Sequence, residues 1–200
     1  MDFYKDEQVL STSQKKKLKK KLKQYQEQLE SEQRSNSEVD VGRQEYKLLQ
    51  DKLQELGLKI HDIQPDGNCL FKSIEHQLKY YNENGYNLPK FDYMDLRRLA
   101  VDHLKKNQNE YENFLALSNT NENVKTNYLT YCENMLKDGE WGSELEIIVL
   151  TKLLNCNIKI HNSDNTIEYK ATNNSGTTLN ISYHKHQYVL GEHYNSIIPI

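Results

Sequence analysis

Two short segments of this sequence hold side chains that could do chemistry together. The first is Asp66-Gly67-Asn68-Cys69-Leu70-Phe71. Its cysteine follows a turn rich in Pro, Gly and Asx residues, and it opens a helix whose apolar face is Leu70, Phe71, Ile74, Leu78 and Tyr81. A helix N-terminus carries roughly half a positive charge on its unpaired N–H groups, which favours thiolate over thiol. The same groups, with those of Gly67 and Asn68, point where the oxyanion of an acyl intermediate would form. A cysteine so placed needs a histidine to complete its activation. The position equally suits a buried cysteine acting as a small apolar residue.

The second segment is Gly191-Glu192-His193-Tyr194-Asn195-Ser196, after the strand-like Tyr188-Val189-Leu190. In an extended chain residues i and i+2 face the same way, so His193 and Asn195 project together. An asparagine oxygen can accept the imidazole Nδ1–H and leave Nε2 to take a thiol proton, a Cys-His-Asn arrangement. Taken alone, His193 is also what a surface histidine in a loop at the end of a sheet would look like.

The elements that must position these segments follow from periodicity. Residues 1–57 form a charged helical zone with two narrow apolar stripes, Leu18, Leu22, Tyr25, Leu29 and then Tyr46, Leu49, Leu53, Leu56, closed by Gly57. The polar run 31–40 predicts a break between them, hence a short hairpin or coiled-coil-like extension whose removal leaves the chemistry largely intact. Residues 58–200 read as the compact domain. Leu58 to Ile63 alternates like a strand, and helices follow at Cys69, after the cap Asp92 (Leu96, Leu99, Leu104), around Tyr111 to Leu115, over Val124 to Met135, and over Leu145 to Leu154. The segments 158–160, 167–169, 179–183 and 188–190 alternate as strands between Asn/Ser/Gly turns. Helices first and a small, mostly C-terminal β-sheet second predict an α+β fold.

Composition sets the class. The 200 residues are 36% hydrophobic and 28% charged, with Tyr 14, Gly 8 and Pro 3, so neither a disordered polyampholyte nor a Gly/Pro-rich architecture fits. The longest apolar run, Ile147 to Leu150, is far short of the ~18 residues of a membrane span, and the N-terminus lacks a signal-peptide core. Three cysteines without a Cys-x-x-Cys pair predict a reduced, cytoplasmic protein rather than a disulfide scaffold or zinc ribbon. The net charge of −3 hides the run Lys15 to Lys23, which would suit an acidic partner such as RNA or a ribosomal particle, or a nuclear-localisation signal. An adaptor acting through that run is the rival to an enzyme.

The blocks Asp66 to Phe71, Trp141-Gly142 with Glu144-Leu145-Glu146, and Gly191 to Ser196 resemble, in order and spacing, the signature blocks of ovarian-tumour (OTU) domain cysteine proteases. The charged N-terminal zone is similar to the Lys/Glu-rich extension of one subfamily. The resemblance implies a papain-like OTU fold and cleavage of ubiquitin isopeptide bonds, with ubiquitin or polyubiquitin conjugates as partners. It implies Cys69 as nucleophile, His193 as general base and then acid, and Asp66 and Asn195 as competitors for the third role. Gly67 and Asn68 would support the oxyanion and Trp141 would pack beside the site. The arginine-containing ubiquitin tail would need an acidic channel, for which Glu144, Glu146 and Glu192 are candidates by position.

Other chemistries are not expected. His184 and His186 share a strand face with His193 nearby, yet no cysteine pair accompanies them, so no metal is expected. A cysteine phosphatase needs an arginine six residues on, where Glu75 stands. No Gly-rich phosphate loop is present, and no cofactor is expected.

Overall fold

The structure, a computed structural model, describes residues 12–118, 128–172, 176–188 and 191–200. Helix α1 runs without interruption over Thr12–Glu55, so the expected break at 31–40 and the hairpin do not form. No Pro or Gly occurs between residues 12 and 41, and Ser, Asn, Val and Asp each cost only some tenths of a kcal/mol in a helix. The helix stops where Gly57, at φ 70°, bonds its N–H back to the Gln54 carbonyl at 3.0 Å. Of the second apolar stripe, Leu49 and Leu53 are fully buried against Ile197, Leu58 and Ile60, while Leu56 is 60% exposed. The end of α1 is thereby part of the compact body. Loss of residues 1–57 would open this cluster, contrary to the expectation that the segment is dispensable.

Strand β1 (Leu58–His61) leads through the turn 65–68 into α2 (Cys69–Glu83). Helix α3 (Tyr93–Lys106) is capped by Asp92, whose carboxylate accepts the Asp95 N–H at 2.7 Å. Helices α4 (Gln108–Ser118) and α5 (Tyr128–Met135) follow, and Val124 lies outside the described residues. Helix α6 (Glu144–Leu154) starts with a capping box between Ser143 and Glu146.

The remaining strands are β2 (Asn157–His161), β3 (Thr166–Tyr169), β4 (Thr178–Tyr188) and β5 (Gly191–Pro199). They order as β1-β5-β4-β2-β3, with β2 and β4 parallel and the other neighbours antiparallel. The α+β expectation holds. Residues 189 and 190, expected to end a strand, lie outside the described residues, whereas 191–199, where His193 and Asn195 are expected to share one face of an extended chain, form an interior strand. His193, Asn195 and Ser196 are all buried, so apolar alternation is missing where the strand is most enclosed.

The sheet is covered on both faces. Helix α1 lies over the face that carries His193, Asn195 and Ile197. Helix α2 lies over the other, where the Gln77 amide donates to Ser196 Oγ at 2.7 Å. Phe71, Ile74 and Leu78 of α2, Leu96 and Leu104 of α3, Leu150 of α6 and Ile158 and Ile181 of the sheet form the main core.

Candidate active site

Cys69 sits at the first position of α2 and is buried. Three backbone N–H groups approach its sulfur, its own, that of Leu70 and that of Tyr194, the residue after His193. The helix start and strand β5 therefore meet at this atom. Burial nevertheless raises the thiol above its ordinary pKa, with the Asp66 charge adding to the rise. Desolvation therefore outweighs the pull of the helix terminus toward thiolate, and activation is left to the histidine.

The turn before Cys69 is held by backbone contact. Gly67 has φ 78°, and a Cβ there would stand 2.1 Å from the Gly139 carbonyl oxygen, so only glycine fits. Asn68 is buried and turns its side chain away from the helix it precedes. Its Oδ1 accepts from Arg97 Nη2 at 2.7 Å and from the Gly139 N–H at 3.0 Å, and its Nδ2 donates to Asp138 at 3.0 Å. Asp66 accepts the Asn68 N–H at 3.1 Å and pairs with Lys72. Burial alone would raise its pKa, but the Lys72 and Asn68 bonds hold the carboxyl below its ordinary value. That occupied N–H removes Asn68 from the expected set of oxyanion donors.

His193 and Asn195 lie two residues apart on β5, both buried. His193 Nε2 and Asn195 Oδ1 are 3.0 Å apart, and the Ile63 N–H donates to the same oxygen at 2.7 Å. Asn195 is a hydrogen-bond partner of the ring, together with the Ile63 backbone, while Asp66 accepts from Asn68 and pairs with Lys72. The nitrogen is the opposite of the one expected. Same-face neighbours on a strand are about 6.6 Å apart, a gap that the distal Nε2 spans better than Nδ1. Burial pushes the His193 pKa down, with the bonds to Asn195 and the Ile63 backbone opposing it, so the ring is neutral at pH 7.

Cys69 and His193 line one cleft of about 320 Å³ together with Asp66, Gly67, Trp141 and Glu192. Trp141 is 46% exposed, so it walls the cleft and is not core filling; a Cβ on Gly191 would stand 3.2 Å from its ring. A second cavity, about 450 Å³, opens from Cys69 and Trp141 toward Tyr169, Tyr183, Glu144 and Glu192. Glu146 belongs to neither. It is fully buried, accepting from Tyr131 at 2.6 Å and from the Ser143 N–H at 2.7 Å, which corrects its candidacy as a channel residue.

Sequence reasoning missed Arg97. It is fully buried, donates to the Met135 and Glu140 carbonyls at 2.8 and 2.7 Å as well as to Asn68, and lies 4.3 Å over the Phe71 ring. It ties the 135–140 segment to the turn before Cys69. A signal existed: Arg97 shares a helix face with Ala100, Val101 and Leu104, where an unpaired charge would not be tolerated.

A cysteine at a helix start, meeting a buried His–Asn pair across a water-accessible cleft, is a layout for nucleophilic acyl transfer. The chain belongs to the OTU-like cysteine protease family, which matches residues 64–194. It is 32% identical over 162 residues to Ubiquitin thioesterase otu2 of Schizosaccharomyces pombe, covering 80% of this chain and 52% of that protein. It is 36% identical over 149 residues to OTU domain-containing protein 2 of Saccharomyces cerevisiae, covering 74% and 48%. The chain thus spans about half the length of these relatives. The OTU domain of OTUD1 superposes with a TM-score of 0.56 over 77% of this chain and 94% of that one, at 16% identity, a likeness of fold alone. Among the described residues no helix is long and apolar enough to cross a membrane.

Proposed function

We propose that this protein is a deubiquitinating thiol hydrolase that cleaves ubiquitin isopeptide bonds through a thioester on Cys69. The observation that carries the reading is the meeting of Cys69 with the backbone of Tyr194, beside a His193 whose Nε2 is held by Asn195. Membership of the OTU-like family and the likeness to a relative named as a ubiquitin thioesterase support the substrate class.

The chemistry starts from a neutral thiol–imidazole pair. With Nε2–H donated to Asn195, Nδ1 keeps its lone pair and removes the Cys69 proton as the sulfur attacks the carbonyl of the ubiquitin C-terminal glycine. The C–S bond forms and the carbonyl π pair moves onto oxygen, held by the Gly67 and Cys69 amides. Collapse breaks the C–N bond, and the imidazolium gives its proton to the lysine nitrogen. His193 then takes a proton from water, which attacks the thioester; the acid leaves and Cys69 regains its proton. Asp66 fixes the turn through Asn68 N–H and Lys72 rather than touching the reacting atoms. Glu144 and Glu192 flank the second cavity and suit the arginines of an incoming tail. A reducing compartment, the cytoplasm, suits a mechanism that needs a free thiol.

Lys20, Lys21 and Lys23 are exposed on α1 and suit an acidic partner such as RNA or a ribosomal particle. Such binding adds a docking site to the hydrolase and does not replace it.

The test is release of fluorophore from a ubiquitin C-terminal amide by the full chain. Hydrolysis by wild type and none by Cys69→Ala is expected. A folded wild type that hydrolyses no ubiquitin conjugate would sink the reading.

A further inference from the structure

Four polar residues form a square on the sheet face beneath α1. Strands β4 and β5 pair His184 with His193 and Ser182 with Asn195. All four are buried, an unusual polar patch for the centre of a sheet. Asn195 links them. The backbone N–H of Ile63 can only donate, so the atom 2.7 Å from it is oxygen and the amide orientation is fixed. Asn195 Nδ2 must then face away from Ile63, and it stands 3.3 Å from His184 Nε2. An amide N–H needs an acceptor, so this contact requires a neutral His184 with its lone pair on Nε2. Ser182 Oγ, 2.9 Å from the same nitrogen, donates its proton there as well, so Nε2 is the shared acceptor, and the 3.5 Å approach of this hydroxyl to the Asn195 carbonyl is the longer contact. Burial, joined by repulsion from His193 whenever that ring is protonated, pushes His184 down to about 4, which keeps it neutral.

The far side of His184 is covered by α1. The Tyr46 ring stacks on it, centroids 5.6 Å apart and planes at 28°. Next to Tyr46, the Glu45 carboxylate accepts the Lys185 and His186 N–H groups at 2.9 and 2.8 Å. The helix thus grips β4 where His184 projects.

We propose that His184 is a positioning residue for His193, acting through the Asn195 amide and braced by Tyr46 and Glu45 of α1. It rests on the acyl-transfer reading of the Cys69–His193 site. His184 touches no reacting atom. It accepts the amide proton and so holds Oδ1 toward Nε2–H, which keeps the His193 tautomer with Nδ1 unprotonated. Residues of an apparently peripheral helix become part of the base assembly.

The experiment is steady-state hydrolysis of a ubiquitin C-terminal fluorogenic amide by the full chain, beside ring ¹⁵N shifts of His193. His184→Leu should lower kcat about tenfold with KM within about twofold, and His184→Gln, whose amide oxygen can accept the same proton, should recover most of it. In an Asn195→Ala background His184→Leu should have no further effect, since it acts only through that amide. Should His184→Leu fail to fold, Tyr46→Leu must lower kcat about threefold and lose that effect in the same background. The ¹⁵N shifts should show the Nε2–H tautomer in wild type and a mixture in His184→Leu. An unchanged kcat and tautomer in the folded variant, or additivity with Asn195→Ala, would overturn the proposal. A wild type inactive on ubiquitin but with the expected tautomer change would overturn the hydrolase reading and leave this one standing.

Discussion

The two walls of the cleft are held in different ways. On the nucleophile side the fit is between backbones: Gly67 touches Gly139 where no Cβ can enter, and Arg97 pins the Asn68 side chain and the 135–140 segment. On the base side the fit is between side-chain donors and acceptors spread over β5, β4 and the turn at Ile63. A steric lock is all or none, because close-packed backbone cannot yield by fractions of an ångström at small cost. A hydrogen-bond relay is graded, since each lost bond lowers the population of the productive ring state without abolishing it.

Replacing a reacting group gives the reference against which both walls are measured. His193→Ala should lower kcat/KM by about 10²–10⁴-fold, the ordinary worth of a general acid–base. Gly67→Ala should come next, about a hundredfold in kcat together with about 2–4 kcal/mol of stability, because a positive φ and a collision with the Gly139 carbonyl act together. Hydrolysis and denaturant unfolding read both losses, and a Gly67→Ala protein close to wild type would break the contrast. Asn195→Ala removes a bond to a ring that is charged in the transition state, worth about 1.5–3 kcal/mol or about ten- to a hundredfold in kcat. A loss as large as that of His193→Ala would show that the relay is a lock after all.

Acid should loosen the base wall. Folded His184 takes up its proton only near pH 4, while in the unfolded chain it does so near its ordinary 6.5. Below 6.5 the unfolded state binds more protons, so stability is full above that pH and is lost as pH falls toward about 4. His184 alone accounts for about 3 kcal/mol of that loss. His76, stacked on His61 at 3.8 Å and also pushed down to about 4, adds in the same direction. Chemical denaturation at stepped pH checks the slope, which should shrink in His184→Gln. The smallest effect should come from deleting residues 1–40, which keeps Glu45, Tyr46, Leu49 and Leu53 and should leave kcat within about twofold. Deleting 1–57 should instead cost several-fold in kcat and about 2–4 kcal/mol, as the Leu49–Leu53–Ile197 cluster opens.

The contrast also explains what could be read from the sequence. The Asp66 to Phe71 segment announces itself because turn chemistry and helix start are local, and both are written in neighbouring residues. His193 and Asn195 could be paired from strand periodicity, but which ring nitrogen meets the amide depends on side-chain reach across β5. The buried polar residues of β5 leave no apolar alternation to mark its full length. Residues 31–40 look like a break by composition, yet no single residue there stops a helix. Arg97, His184 and the Gly67–Gly139 contact depend on partners 29 to 72 residues away or on strand pairing, which no local pattern encodes.

The most direct test of the central claim is intact mass after incubation with ubiquitin whose C-terminus carries a cysteine-reactive group. Wild type should gain the mass of one ubiquitin, and Cys69→Ala should gain none although Cys132 and Cys156 remain. An adduct that persists in Cys69→Ala, or none on folded wild type, would contradict the assignment of Cys69 as the nucleophile that receives ubiquitin.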